Sequence, residues 1–126
     1  MKPMIPVSCG ELIDKITILE IKARRLTTED ARVRVIRELS TLCETALALG
    51  LSDDVFAMKI PLQRVNEALW DAEAQLRDHE DRQDFGAEFV SLARAVYRHN
   101  DERASIKRLI NALAASELVE EKDYQT

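Results

Sequence analysis

The sequence has little of what breaks a chain or staples it. Only three glycines, three prolines and two cysteines occur among 126 residues. So few turn residues leave room only for long elements and short connections. Two cysteines, Cys9 and Cys43, are too few for a disulfide scaffold, and no CxxC pair exists to hold a structural zinc. No stretch approaches membrane-spanning length, and Met1 to Val7 lacks the apolar core of a signal peptide, so neither membrane insertion nor export is expected. Positive charge is not in excess: the net charge is −5, which excludes sequence-independent nucleic-acid binding as a main activity. Gly-rich phosphate loops and a Ser-His-Asp order are absent. The setting these features imply is the cytoplasm, and no cofactor is called for.

What is present is helical periodicity in a chain sized for one domain over 1–126. Residues 1–7 read as an extended lead-in, with Pro3 and Pro6 blocking helix. Ser8 opens a capping box with Glu11, and a helix follows over about 9–26, its stripe Leu12, Ile16, Leu19, Ala23, Leu26. Thr28, Glu29 and Asp30 start a second helix over about 29–49, with stripe Val35, Leu39, Leu42, Ala46, Leu49 and Gly50 as its C-cap. Ser52, Asp53 and Asp54 begin a third segment that Pro61 should break or kink; beyond it Leu62, Val65, Leu69, Ala72 and Leu76 resume the stripe. Residues 78–84 read as a polar loop or fraying end. A last helix follows over about 86–115, and 117–126 as an irregular acidic tail. The expected fold is all-α, an antiparallel four-helix bundle with long helices and a kinked or broken third helix.

The last helix carries the most informative polar interruption. Phe89, Leu92, Val96, Ile106, Ile110 and Leu113 form its seam, and the same register places His99 and Arg103 within it. An arginine at a seam position must bury its charge, reach solvent or meet a partner. Other helices carry polar groups beside their stripes: Glu20, one turn after Thr17, in an otherwise apolar first helix; Asn66, Trp70 and Glu73 on the third; Tyr97, Asn100 and Lys107 near Arg103. If these edges converge they make a pocket with acids, bases, amides and one tryptophan. One reading is structural, with a buried Glu20–Arg103 ion pair fixing register and Asn66 and Asn100 as polar pins. The other is functional: Arg103 and Lys107 hold an anionic group while Glu20 or Glu73 acts as acid, base or orienter.

Specific chemistries can be weighed against these residues. A di-metal bundle site needs Glu-x-x-His pairs, and the positions three before His79 and His99 are Leu76 and Val96, so no metal is expected. A magnesium-binding pyrophosphatase pattern needs paired acids on two helices; Glu11 with Asp14 provide one and Glu67 with Asp71 only approximate the other. An Arg/Lys/Glu pocket that rearranges a dicarboxylate fits by residue type, without diagnostic spacing.

Four blocks carry a resemblance: Ile5 to Lys22, Val65 to Asp71, Tyr97 to Arg108 and Glu117 to Lys122. Together they resemble an uncharacterised bacterial family of small helical proteins, a domain of unknown function (DUF6165). The resemblance implies an all-helical protein or module with no assigned activity, some members being associated with glycosyltransferases of surface-polysaccharide pathways. Cys9 stands where the family resemblance leads one to expect a bulky aromatic. The leading expectation is a non-catalytic binding or accessory module, a homodimer acting on a partner protein or an anionic sugar-linked ligand. The rival is a small enzyme acting on a phosphorylated or carboxylated metabolite.

Overall fold

The computed structural model describes the backbone of residues 1–125 and the side chains of residues 1–115. Among the described residues the elements are α1 (Cys9–Arg25), α2 (Glu29–Ala48), the single-turn α3 (Asp53–Ala57), α4 (Lys59–Asp81) and α5 (Ala87–Gln125). The fold is all-α, and α3 with α4 form one bent, joined segment, so four long helical units make up a bundle.

The boundaries follow local chemistry. Ser8 Oγ accepts the Glu11 backbone N–H at 3.1 Å, which is half of the expected capping box; the Glu11 carboxylate instead meets Lys107 at 2.6 Å. Thr28 occupies the N-cap of α2 but its side chain makes no capping hydrogen bond. Gly50 takes φ +65° just after α2, the left-handed turn that glycine adopts without steric cost. Ser52 caps α3 through the Val55 N–H at 3.3 Å. The break in the third segment falls at Met58, three residues before Pro61. Pro61 therefore sits in the first turn of α4, where its missing N–H would have had no intrahelical partner. At the other end Gln83, with φ 56°, turns the chain, and the Asp84 N–H returns to the His79 carbonyl at 2.9 Å. That pairing closes α4 at Asp81, inside the segment expected as loop or fraying end. The backbone of α5 stays helical through Gln125 rather than turning irregular at 117.

The helix α1 is the hub. It packs against α2, α4 and α5, whereas the α2 backbone comes close to no helix but α1 among the described residues. Burial agrees with an all-round apolar α1: Leu12, Ile13, Ile16, Leu19 and Ile21 are all buried, on more than one face. The core joins Leu12, Ile13 and Ile16 to Ala46, Val55, Leu62 and Ile110, with Cys9 and Cys43 partly buried against it. In α2 only Ala46 is buried. The bundle is thus open along one side, and a cleft runs between α2 and the α4–α5 pair with α1 as its floor. No helix among the described residues is long and apolar enough to cross a membrane.

Candidate functional site

Arg103 is tied to Asp14, not to Glu20. Asp14 is 1% exposed and sits in α1 two turns after the cap. Its Oδ1 accepts from Arg103 Nε at 3.0 Å and its Oδ2 from Arg103 Nη2 at 2.5 Å, a bidentate pairing that fixes the guanidinium plane. Asn66 completes the arrangement from α4, its Nδ2 donating to Asp14 Oδ1 at 2.9 Å and to Thr17 Oγ1 at 2.8 Å. Thr17 Oγ1 in turn donates to the Asp14 carbonyl at 2.7 Å. Lys107 Nζ lies 2.6 Å from Glu11 and 3.8 Å from Asp14. Below these, Gly10 donates its N–H to Asn111 Oδ1 at 2.7 Å. Three helices are pinned together by polar groups on one stretch of α1.

The Glu20–Arg103 pairing expected from the sequence is therefore incorrect. Glu20 points toward the start of α4, where its Oε2 meets Lys59 at 2.8 Å and its Oε1 is buried without a partner among the described residues. The register explains the difference: Asp14 precedes Glu20 by six residues, nearly two turns, and only Asp14 faces α5 at the level of Arg103.

The electrostatics of the pair are mutual. Burial pushes the Asp14 carboxyl up, but hydrogen bonds from Arg103 and Asn66, with the charges of Arg103 and Lys107, outweigh it and hold Asp14 below its ordinary value. The Asp14 hydrogen bond raises Arg103 against its own desolvation, helped by the charges of Asp14, Glu11 and Glu73. An acid with a lowered folded value stabilises the fold fully above its unfolded value and loses that contribution as pH falls through the folded one. Arg103, raised, keeps its contribution throughout the working pH range. The unfolding midpoint of the parent is thus expected to fall more steeply below about pH 4 than that of Asp14→Asn, as followed by circular dichroism on acid titration.

Asn66, Trp70, Glu73, Asn100 and Arg103 line one lobe of the cleft, together with Ile18, Leu69 and Lys22, in a volume of about 250 Å3. A second lobe of about 250 Å3 lies toward α2, bounded by Glu11, Asp14, Lys15, Lys22, Glu38 and Arg103. Lys22 lines both lobes and a third hollow beside Arg34 and Trp70. Its ammonium has no ion-pair partner among the described residues, and Arg103 Nη1 likewise carries no hydrogen bond. Arg25 stacks its guanidinium 5.9 Å from the Trp70 ring while pairing with Asp71 at 2.6 Å. The structure thus gathers five of the residues singled out from the sequence, with Lys107 adjoining through Asp14. It leaves out Glu20, and Tyr97 is exposed away from the lining. The acid pair Glu67 and Asp71 is taken up by Arg24 and Arg25.

Sequence reasoning ranked Asp14, Lys22 and Glu38 too low. Asp14 entered only as half of an acid pair with Glu11, and Lys22 only as the end of the block Ile5 to Lys22. A signal for Asp14 did exist: it lies between Ile13 and Ile16 in a helix that is apolar on several faces. Glu38 had none, because its place depends on α2 standing away from α5.

The match to known families decides the membership of this architecture. The sequence matches the family of unknown function DUF6165 over residues 1–126. The chain belongs to that family. No curated protein and no solved structure matches it. Family membership carries no chemistry by itself, so the geometry of the cleft bears the functional argument.

Proposed function

We propose that this DUF6165 chain is a binding or accessory module whose cleft takes an anionic, sugar-linked ligand. The observation that carries the reading is that one guanidinium with a nitrogen to spare and one ammonium without an ion-pair partner among the described residues line the same two lobes. Arg103 is held rigid by a buried aspartate, and half-buried Lys22 lines the same two lobes; among the described residues Arg103 Nη1 has no hydrogen bond and Lys22 no ion pair. A guanidinium whose rotamer is already fixed loses little entropy on binding phosphate or carboxylate, which favours an anion there. Trp70, which carries Arg25 over its ring, lines the same lobe and gives it an aromatic wall. A setting in the bacterial cytoplasm and a link to surface-polysaccharide glycosyltransferases belong to the same proposal. So does a homodimeric working form, since Val33 and Ile36 of α2 are left in solvent.

The test is thermal shift with a panel of sugar phosphates and nucleotide sugars. A ligand held at a hundredfold excess over its Kd stabilises by about 2.7 kcal/mol, which moves the midpoint by several degrees. Lys22→Met is expected to weaken binding on the order of tenfold while leaving the unliganded midpoint nearly unchanged, because Lys22 forms no ion pair among the described residues. If the panel produces no shift, the ligand class is wrong. The enzyme reading draws on one observation, the Glu73 carboxylate, which has no hydrogen-bond or ion-pair partner among the described residues, in the lobe that holds Arg103. Turnover of a bound ligand that disappears in Glu73→Gln with affinity retained would replace the binding-module reading by that one.

A further inference from the structure

The helix α2 carries two apolar stripes, and α1 covers one of them. Leu39, Leu42 and Ala46 pack into the core, and Val35 lies beside Lys22 and the Leu26 cap of α1. A second set, Val33, Ile36, Ser40, Cys43 and Leu47, repeats at alternating three- and four-residue spacing about 120° round the helix. Val33, Ile36 and Leu47 of that set are exposed, while Cys43 joins its inner edge to the core. The N-terminal lead-in shares a hollow with Arg34, Arg37, Glu38, Thr41 and Leu42 along one flank of α2, so Arg37 lies at its edge, while Val33, Ile36 and Leu47 stay exposed. Alternating spacing of this kind is the seam of a two-helix coiled coil.

Charge identifies what covers the seam. On one border of the stripe lie Arg37 and Glu44, seven residues apart and at equal distance from the midpoint between Ser40 and Thr41. Neither side chain has an ion-pair or hydrogen-bond partner among the described residues. A helix that carries opposite charges placed symmetrically about its centre is complementary to itself when turned end for end. We propose that α2 pairs antiparallel with α2 of a second copy, about a twofold axis at Ser40–Thr41. Arg37 then faces Glu44 of the partner subunit, Glu44 faces Arg37 of the partner subunit, and Val33 packs near Leu47 of the partner subunit. The interface is isologous, as a twofold dimer requires. It lies on the side of α2 away from the lobe lined by Glu38, so the cleft stays open in the dimer. The proposal rests on the homodimer reading and is independent of what the cleft binds.

Analytical ultracentrifugation over a concentration series tests it. The parent is expected to dimerise. Arg37→Glu and Glu44→Arg each place like charges at both contacts and are expected to weaken the dimer on the order of tenfold or more, with helicity unchanged because both residues are exposed. An equimolar mixture of the two single variants, and the double variant Arg37→Glu/Glu44→Arg, are expected to restore association, since opposite charges again meet at both contacts. A parent that stays monomeric overturns both the homodimer reading and this interface. A parent dimer that the single reversals leave intact overturns the interface alone, as does a mixture that fails to reassociate.

Discussion

Asp14→Ala is expected to destabilise the fold by about 3 kcal/mol, a fall in unfolding midpoint on the order of 10 °C for a domain of this size. The side chain it removes is 1% exposed and accepts hydrogen bonds from both Arg103 and Asn66. Without it, Asn66 Nδ2 keeps only Thr17, and the Arg103 guanidinium faces a small cavity with no counter-charge. The magnitude sits at the low end for a broken buried pair because the Arg103 side chain is 29% exposed and can turn toward water. The reverse truncation, Arg103→Met, strands a carboxylate that cannot turn away, and it too is expected to lower the midpoint by several degrees. The double variant Asp14→Leu/Arg103→Met removes both charges and should recover most of the loss. Denaturant unfolding of the four proteins measures the coupling; additive losses would mean that the two groups do not act as a pair.

A second large effect is expected from adding one methyl group. A Cβ built at Gly10 would lie 2.6 Å from the Lys107 carbonyl oxygen and 3.0 Å from Asn111 Oδ1. The nearer contact is backbone in the middle of α5 and has no rotamer to change. Gly10→Ala must therefore push α1 and α5 apart, at about 3 kcal/mol, the upper part of the range for overpacking. Separation at this level also lengthens the Gly10–Asn111 hydrogen bond and the Glu11–Lys107 ion pair, and so loosens the arrangement that holds Arg103. Equilibrium unfolding checks this, with Asn111→Ala as the milder control at about 1 kcal/mol, the worth of one hydrogen bond. An unchanged midpoint for Gly10→Ala would show that the two helices are not in close approach.

Gly10 also marks the limit of what the sequence discloses. Periodicity placed α1, α2 and α5 almost to the residue at their starts, because alternating apolar spacing and caps such as Ser8 are local signals. Pro61 signalled a break but not its position, since proline is tolerated within the first turn and the chain bends just ahead of it at Met58. The end of α4 relied on Gln83 in a left-handed conformation, where glycine would have been the readable signal. The stripe pattern located Arg103, Asn66 and Trp70 on their seams; it could not choose between Glu20 and Asp14, which needs the relative register of α1 and α5. That register is set by the Gly10 contact, a long-range packing fact with no local pattern. The openness of the cleft was likewise hidden, because Val35, Leu39 and Leu42 read the same whether α2 packs on one helix or three.

We propose one anion-binding place made by Arg103, locked by Asp14, and by Lys22, which has no ion-pair partner among the described residues. Nuclear magnetic resonance on nitrogen-15-labelled protein reads it directly. The Arg103 Nε–H is held by Asp14 at 3.0 Å and so gives a protected, observable signal, and the Trp70 indole N–H reports the neighbouring wall of the lobe. Titration with a sugar phosphate is expected to give saturable shifts of Arg103 Nε–H, the Trp70 indole and the Ile18 and Lys22 amides, and none at Lys59, which pairs with Glu20 outside the cleft. Shifts that never saturate, or that spread over the exposed arginines of α2 and spare Arg103, would contradict it.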